Sequence, residues 1–94
     1  MKNVIQNLGL CRKAGALVFG FDAVIDAVKN GKAKGILTAL DISPKTMKEI
    51  KFHAAKFKVE VVHTDEKAEQ FEQITGKSTV VVAITDENLF TLFN

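Results

Sequence analysis

The chain has 94 residues, of which 47% are hydrophobic and 26% are charged, a composition typical of an ordinary globular domain. This length predicts a single compact domain over residues 1–94 and leaves no room for a second domain of normal size. No segment approaches the roughly 20 apolar residues that a membrane helix needs. With no signal-like apolar start and one cysteine, Cys11, we expect a cytoplasmic protein without disulfides.

Charge is distributed unevenly along the chain, although the net charge is only +2. Residues 1–58 contain eleven Lys and Arg against four Asp and Glu, whereas residues 59–94 contain two against seven. A basic first part is compatible with a polyanionic partner. Lysines on helix surfaces are also common solubilising residues, so charge alone leaves both interpretations open.

Helical and strand patterns alternate through the first part of the chain. The predicted elements are a helix ending near Arg12 and Lys13, a short strand over 16–19, a helix from Gly20 to Asn30-Gly31, a strand over 36–38, and a helix from about 44 to 57. Ser43 followed by Pro44 is a strong start for that third helix. Its predicted inner stripe is Met47, Ile50, Ala54 and Phe57, and its lysines are expected to be solvated.

The second part continues the alternation. We predict a strand over 59–63, a helix capped by Thr64-Asp65-Glu66 and ended by Gly76, a continuous β-branched strand over 79–84, and a last short helix starting at 85–87. Ala68, Phe71 and Ile74 are expected to be buried in the fourth helix, and Leu89, Phe90, Leu92 and Phe93 follow the last strand. The pattern predicts a three-layer α/β/α sandwich with a small, mostly parallel or mixed four-stranded sheet.

The residue types that usually carry catalysis do not form a site in this sequence. Gly76-Lys77-Ser78-Thr79 matches the end of a phosphate-binding loop, but Phe71 stands where the earlier glycine is needed, and the segment leads from a helix into a strand. His53 and His63 lack further ligands at metal-binding spacing. Cys11 lies on an apolar helix face, where a buried thiol is the ordinary interpretation. We therefore expect no enzyme activity, cofactor or metal.

Three loops next to helix ends are more informative. They are Gly20-Phe21-Asp22, Asp41-Ile42-Ser43 and Gly76-Lys77-Ser78. In an α/β sandwich, loops at one edge of the sheet can converge into a binding surface. Spacing alone does not decide whether these loops converge.

Several segments together resemble a known family. They are the run from Leu8 to Leu17 (LGLCRKAGAL), Gly20, the run from Ala27 to Lys34 (AVKNGKAK), the run from Ala39 to Pro44 (ALDISP), and Ile74-Thr75-Gly76-Lys77 before the last strand. In order and spacing the chain resembles the kink-turn RNA-binding family of ribosomal proteins, the L7Ae type, and in particular its bacterial YlxQ-like branch. The resemblance covers nearly the whole chain.

The resemblance implies an α/β/α sandwich that binds structured RNA, either ribosomal or kink-turn-like, with a protein as a further possible partner. The family places the N-terminus of the second helix in the widened major groove of the RNA. Carried onto this chain, the RNA-binding residues are Gly20, Phe21, Asp22, Ala23, Asp41, Ile42, Ser43, Gly76, Lys77 and Ser78. Candidate phosphate contacts are Arg12, Lys13, Lys29, Lys32 and Lys34.

The chain departs from the family pattern at the second helix. Strong kink-turn binders have the sequence Gly-x-Asn-Glu at this position and a lysine three residues after the glutamate. This chain has Asp22 and Ala23 instead, followed by Asp26. An ionised aspartate accepts hydrogen bonds but cannot donate them to a guanine carbonyl, and alanine reads no base. Phe21 is interpreted either as a stacking platform or, preferably, as cover for the core. A protein-interaction module of the same fold, which has lost base readout, is the alternative hypothesis.

Overall fold

The computed structural model describes residues 3–93. Its elements, in chain order, are α1 (Val4–Lys13), β1 (Leu17–Phe19), α2 (Phe21–Lys29), β2 (Gly35–Thr38), α3 (Pro44–Phe57), β3 (Val61–His63), α4 (Ala68–Thr75), β4 (Val81–Ile84), α5 (Glu87–Phe90) and a final 3₁₀ turn (Thr91–Phe93). The predicted alternation of helices and strands is confirmed. β3 and β4 each begin two residues later than predicted, and β1 begins one residue later, whereas β2 begins one residue earlier.

The four strands form one mixed sheet in the order β1-β4-β2-β3. β2 and β3 are parallel, whereas β4 is antiparallel to both β1 and β2. Of the two predicted arrangements, the mixed sheet is therefore right and the mostly parallel sheet is wrong. The reason is that α4 crosses one end of the sheet. Its first N–H, that of Ala68, donates a hydrogen bond to the side chain of Asp41, which follows β2, and its Ile74 carbonyl accepts one from the Arg12 side chain. The chain therefore enters β4 from the end at which it left β3.

Helices cover both faces of the sheet, which confirms the three-layer α/β/α sandwich. One apolar cluster joins α1, α4, α5 and the 3₁₀ turn to strand residues such as Leu37 and Val82. The other joins α2 and α3 to the alternating strand residues, among them Ile36 and Val81. Because successive side chains of a strand point to opposite faces, the unbroken apolar runs of β2 and β4 serve both layers.

The α3 helix begins as the sequence predicts but buries a narrower stripe. The Ser43 Oγ accepts a hydrogen bond from the Thr46 N–H at 3.2 Å, so Ser43 is the N-cap. Ile50 and Ala54 are buried, and the four lysines of the helix are exposed, as expected. Met47 is only half-buried, and Phe57, the last helical residue, is 39% exposed. The predicted inner stripe is thus correct at its centre and wrong at Phe57, where the helix ends.

The predicted cap of α4 is wrong. The helix begins at Ala68, with Lys67 at the N-cap position, and not at Thr64-Asp65-Glu66. Thr64 is buried, and its hydroxyl donates a hydrogen bond to the Thr38 carbonyl at 2.9 Å. Because that hydroxyl is held at the end of β2, it braces the turn after β3 instead of capping a helix.

Cys11 is fully buried on the inner face of α1. Its burial, and secondly the negative charge of Asp86, raise the pKa of the Cys11 thiol above its ordinary value of 9.0. The structure thus confirms the interpretation of Cys11 as a core thiol. Phe90 and Phe93 are also buried, whereas Leu92, which follows the same strand, is 41% exposed.

Candidate nucleic-acid interface

The structure brings the three candidate loops to one end of the sheet. β1 and β2 end there and β4 begins there, because Phe19 pairs with Val82 and Thr38 pairs with Val81. Backbone hydrogen bonds fix the loops to one another: the Gly20 N–H donates to the Val81 carbonyl at 3.2 Å. The Ala39 N–H likewise donates to the Val80 carbonyl at 2.8 Å. We call this surface the rim, made of residues 20–23 (the Gly20 loop), 41–43 (the Asp41 loop) and 76–79 (the Gly76 loop).

The Gly20 loop presents free backbone donors at the N-terminus of α2. Gly20 has φ 95° and ψ 148°, a conformation that is essentially restricted to glycine. The first amide to bond back within the helix is that of Val24, which donates to the Gly20 carbonyl at 3.0 Å. The N–H groups of residues 21–23 therefore have no intrahelical acceptor, and no side chain within the described chain caps this end. They and the positive end of the helix dipole can receive an anion.

The side chains of the Gly20 loop differ in how they are placed. Phe21 is half-buried and packs against the cluster beneath α2 and α3, which favours its interpretation as cover for the core. Asp22 and Ala23 are exposed. Asp22 places a negative charge in the first turn of α2, where it offsets the helix dipole and opposes an approaching phosphate.

The Gly76 loop has an exposed tip on a braced base. Gly76, at φ 78°, ends α4, and residues 76–78 are exposed. The Thr75 hydroxyl donates to the Lys77 carbonyl at 2.7 Å, and the buried Thr79 hydroxyl donates to the Val81 carbonyl at 3.0 Å. No role was predicted for these two hydroxyls, although a threonine on each side of a Gly-Lys-Ser turn is a local signal for such bracing. Their hydrogen bonds hold the backbone of the loop on both sides of Ser78.

The side chain of Arg12 reaches the base of the rim from α1. Its guanidinium donates a hydrogen bond to the Ile74 carbonyl near the end of α4 and lies 5.8 Å from the centre of the Phe19 ring. A cation near a helix C-terminus is favourable because it meets the negative end of the dipole. Arg12 therefore ties α1 to the base of the Gly76 loop. Lys13 is exposed at the end of α1, ahead of β1.

The Asp41 loop uses its polar side chains within the fold. The Asp41 Oδ1 accepts a hydrogen bond from the Ala68 N–H at 2.9 Å, at the start of α4. Ser43 caps α3, and Ile42 is buried. These three predicted site residues lie in the rim, but the Asp41 and Ser43 side chains are engaged at helix ends and the Ile42 side chain is buried.

Three of the predicted phosphate contacts lie away from the rim. α2 starts at the rim and ends at Lys29, about 12 Å further along its axis. The Lys34 N–H donates to the carbonyl of Ile84 at 2.7 Å, and Ile84 is the last residue of β4. Lys29, Lys32 and Lys34 are exposed, but the structure places them toward the opposite end of the sheet. Within residues 3–93 there is no group of side chains suited to holding a metal ion and no pocket.

Comparison with known proteins places the chain in a family. Residues 2–93 match the Ribosomal protein L7Ae/L30e/S12e/Gadd45 family. The chain belongs to this family. It is a non-enzymatic family, in agreement with the expectation from sequence. No helix in the described chain has the length and hydrophobicity needed to cross a membrane.

Two relatives agree with the predicted bacterial branch. The chain is 34% identical over 80 residues to a Bacillus subtilis (strain 168) protein named RNA-binding protein YlxQ. The aligned region covers 85% of this chain and 80% of that relative. The chain is 33% identical over 79 residues to the protein of the same name from Enterococcus faecium, covering 84% of this chain and 76% of that one. The predicted resemblance to YlxQ-like proteins is confirmed.

Two solved structures are similar in fold. A Bacillus halodurans protein of unknown function superposes with a TM-score of 0.87 at 22% identity, over 95% of this chain and 90% of the other. The 15.5 kD RNA binding protein of Giardia lamblia superposes with a TM-score of 0.79 at 16% identity, over 96% and 78%. At these identities the similarity establishes the shared architecture.

Proposed function

We propose that this protein binds structured RNA through the rim. The observation that carries the proposal is the uncapped N-terminus of α2 at the same end of the sheet as the exposed tip of the Gly76 loop. Free amides and a positive helix end can receive a phosphate, and Lys77 adds a cation at this end of the sheet. The RNA-binding names of the two YlxQ relatives support RNA as the polyanion.

The RNA is a bent, kink-turn-like structure within a ribosomal or other ribonucleoprotein particle. Such a bend brings a phosphate to the end of a helix and turns a nucleotide outward, where a short loop can pack against it. With Asp22 and Ala23 exposed at the first turn of α2, the chain has few groups to read base edges. Recognition therefore rests on the shape of the RNA backbone, and affinity for any one base sequence is modest.

The direct test is titration of the protein into a kink-turn RNA and into a matched duplex whose G·A pairs are replaced by Watson–Crick pairs, at two salt concentrations. We expect tighter binding to the kink-turn and a loss of affinity at the higher salt. Equal binding to both RNAs would contradict kink-turn specificity, and no binding to either would contradict the proposed function.

Two lysine variants locate the binding surface. Lys77→Ala removes a cation from the rim, whereas Lys34→Ala removes one at the opposite end of the sheet. We expect Lys77→Ala to lower the salt slope of binding by about one unit, and Lys34→Ala to leave it unchanged. The reverse result would move the interface to the region of Lys29, Lys32 and Lys34.

A second candidate function is favoured by the exposed side chains on α2. Asp22, Ala23 and Asp26 lie on the surface where the family pattern has base-reading residues and a lysine. A protein partner that meets this acidic surface would bind without RNA. Partner capture from nuclease-treated extract by the wild-type protein, lost in Asp22→Lys, distinguishes this function from RNA binding.

A further inference from the structure

The outer face of α3 has an unusual combination of residues. Phe52 is 66% exposed, more than any other large hydrophobic residue of the described chain, with Leu10 next at 49%. Its ring meets the His53 ring edge-on, with centroids 5.4 Å apart. The buried face of the same helix is supplied by Ile50 and Ala54, so the core does not need Phe52. A single exposed apolar side chain is common on protein surfaces, so the argument for a ligand depends on the residues around this ring.

Lysines flank this ring along one side of the helix. Lys45, Lys48, Phe52 and Lys56 follow one another at spacings of three, four and four residues, and all four are exposed. At 3.6 residues per turn they fall within an arc of about 80° and extend over about 16 Å. We call these four residues the α3 stripe. Glu49, the one acidic residue of α3, lies at its margin.

The α3 stripe starts at the rim. Pro44 begins α3 directly after the Asp41 loop, and the helix then runs away from that end of the sheet along its α2 side. A strand leaving the rim past Ser43 would meet Lys45 first and Phe52 two turns later. The stripe therefore continues the surface to which we have assigned RNA.

We propose that the α3 stripe binds a single-stranded extension of the RNA that occupies the rim, with the lysines on its phosphates and Phe52 stacked on an unpaired base. For the identity of the strand this inference rests on the proposed function. Bases within a duplex are already stacked, so a lone exposed ring selects an unpaired one. The cores of protein interfaces are depleted in lysine, and a helix that lies on a membrane needs a continuous apolar face. The stripe has three lysines around one ring, which is typical neither of a protein interface nor of a membrane-bound helix.

The test compares a blunt kink-turn RNA, the same RNA with a single-stranded extension, and a labelled oligouridylate of about ten nucleotides, the last within the usual site sizes for single strands. In the wild-type protein we expect the extension to raise affinity about tenfold, the gain of one good stacking contact. Phe52→Ala abolishes this gain and weakens oligouridylate binding by the same factor, while binding of the blunt RNA is unchanged. Phe52→Trp retains the gain, and Phe52→Leu loses it, because leucine is apolar but not planar.

Matched variants control for charge and for general hydrophobicity. Lys48→Ala lowers the salt slope of oligouridylate binding by about 0.7, whereas Lys51→Ala, on the same helix but outside the stripe, does not. Leu10→Ala removes another exposed apolar side chain and has no effect. Thermal unfolding of each variant confirms that it is folded.

The outcomes separate this inference from the proposed function. Lys77→Ala weakens the blunt and the extended RNA equally and leaves oligouridylate binding unchanged. If the blunt RNA does not bind at all, the proposed function fails while the oligouridylate series still tests the stripe. Unchanged oligouridylate affinity in Phe52→Ala, or Phe52-dependent sedimentation with phosphatidylserine vesicles, would each overturn the inference.

Discussion

The Gly20 loop and the Asp41 loop lie at the same end of the sheet, and each leads from a strand into a helix, yet they treat the helix end differently. In the Asp41 loop, Ser43 caps α3 and Asp41 holds the first amide of α4. In the Gly20 loop, no side chain caps α2 and the amides of residues 21–23 are left free. Capping stabilises a helix by about 1 kcal/mol. The fold gains that stability at the Asp41 loop, while the Gly20 loop leaves its donors available to a ligand.

This difference gives a criterion for telling a structural loop from a binding loop. Both loops contain an aspartate, and both were predicted as RNA-binding from sequence. The hydrogen bonds separate them: Asp41 accepts a hydrogen bond from the Ala68 N–H within the fold, whereas Asp22 is exposed in the first turn of α2. Each of the following experiments changes one loop and uses a matched residue elsewhere as its reference.

The largest effect is expected at Gly20. Its φ of 95° and ψ of 148° strain any residue with a Cβ, although a Cβ there would meet no atom within 4 Å. We expect Gly20→Ala to lower the free energy of unfolding by about 1–3 kcal/mol and to weaken RNA binding, because the α2 amides shift. Denaturant unfolding and RNA titration measure the two effects.

Gly31→Ala is the reference for this variant. Gly31 also has positive φ, 74°, and open space around it, but it follows the far end of α2. We expect the Gly31→Ala variant to lose stability while keeping full RNA affinity. Equal loss of RNA affinity in both variants would mean that stability, and not the Gly20 loop, controls binding.

A pair of serines gives the next largest effect. Ser43→Ala removes the cap of α3 and is expected to cost about 1 kcal/mol of unfolding free energy with no change in RNA affinity. Ser78→Ala, in the exposed tip of the Gly76 loop, should change stability by less than about 0.5 kcal/mol but weaken RNA binding. Thermal unfolding measures the stability of both variants, and titration measures their RNA affinity. A loss of RNA affinity in Ser43→Ala would show that the Asp41 loop also binds RNA.

The smallest effect is expected at Asp22. Asp22→Asn removes a negative charge from the first turn of α2, and this should lower the unfolding free energy by about 0.3–1 kcal/mol through the helix dipole. RNA affinity should rise about threefold, since one exposed charge is worth less than about 1 kcal/mol. Asp26→Asn, one turn further on, is the reference and should change RNA affinity less. A drop in RNA affinity for Asp22→Asn would show that the carboxylate takes part in binding.

The sequence was sufficient to predict the layers of the fold. The helical spacing in α1, α2 and α3, the Ser43-Pro44 start and the β-branched run of β4 are local signals, and each of these elements is present, with β4 starting two residues later than predicted. The direction of β4 was not predictable, because it depends on α4 crossing the sheet end between Asp41 and Arg12, two residues far from it in sequence. The prediction that Thr64 caps α4 was wrong because of another contact that is distant in sequence: the acceptor of the Thr64 hydroxyl is the carbonyl of Thr38, in another strand.

The structure brings together only part of the candidate site. Strand pairing places the three predicted loops at one end of the sheet, and their role in binding stays a prediction. Lys29, Lys32 and Lys34 were selected on charge, which carries no information about the end of the sheet at which a side chain lies. Phe52 was not selected at all, because exposure of one aromatic residue on a helix is decided by what packs against the helix.

The buried thiol of Cys11 can be used to measure how often α1 separates from the rest of the fold. An alkylating reagent reacts with the thiolate, and the thiol is sealed beneath α1 with its pKa raised by burial and by Asp86. Labelling must therefore wait until α1 separates from the sheet. The labelling rate under native conditions then gives the free energy of that separation, without denaturant and without any engineered probe.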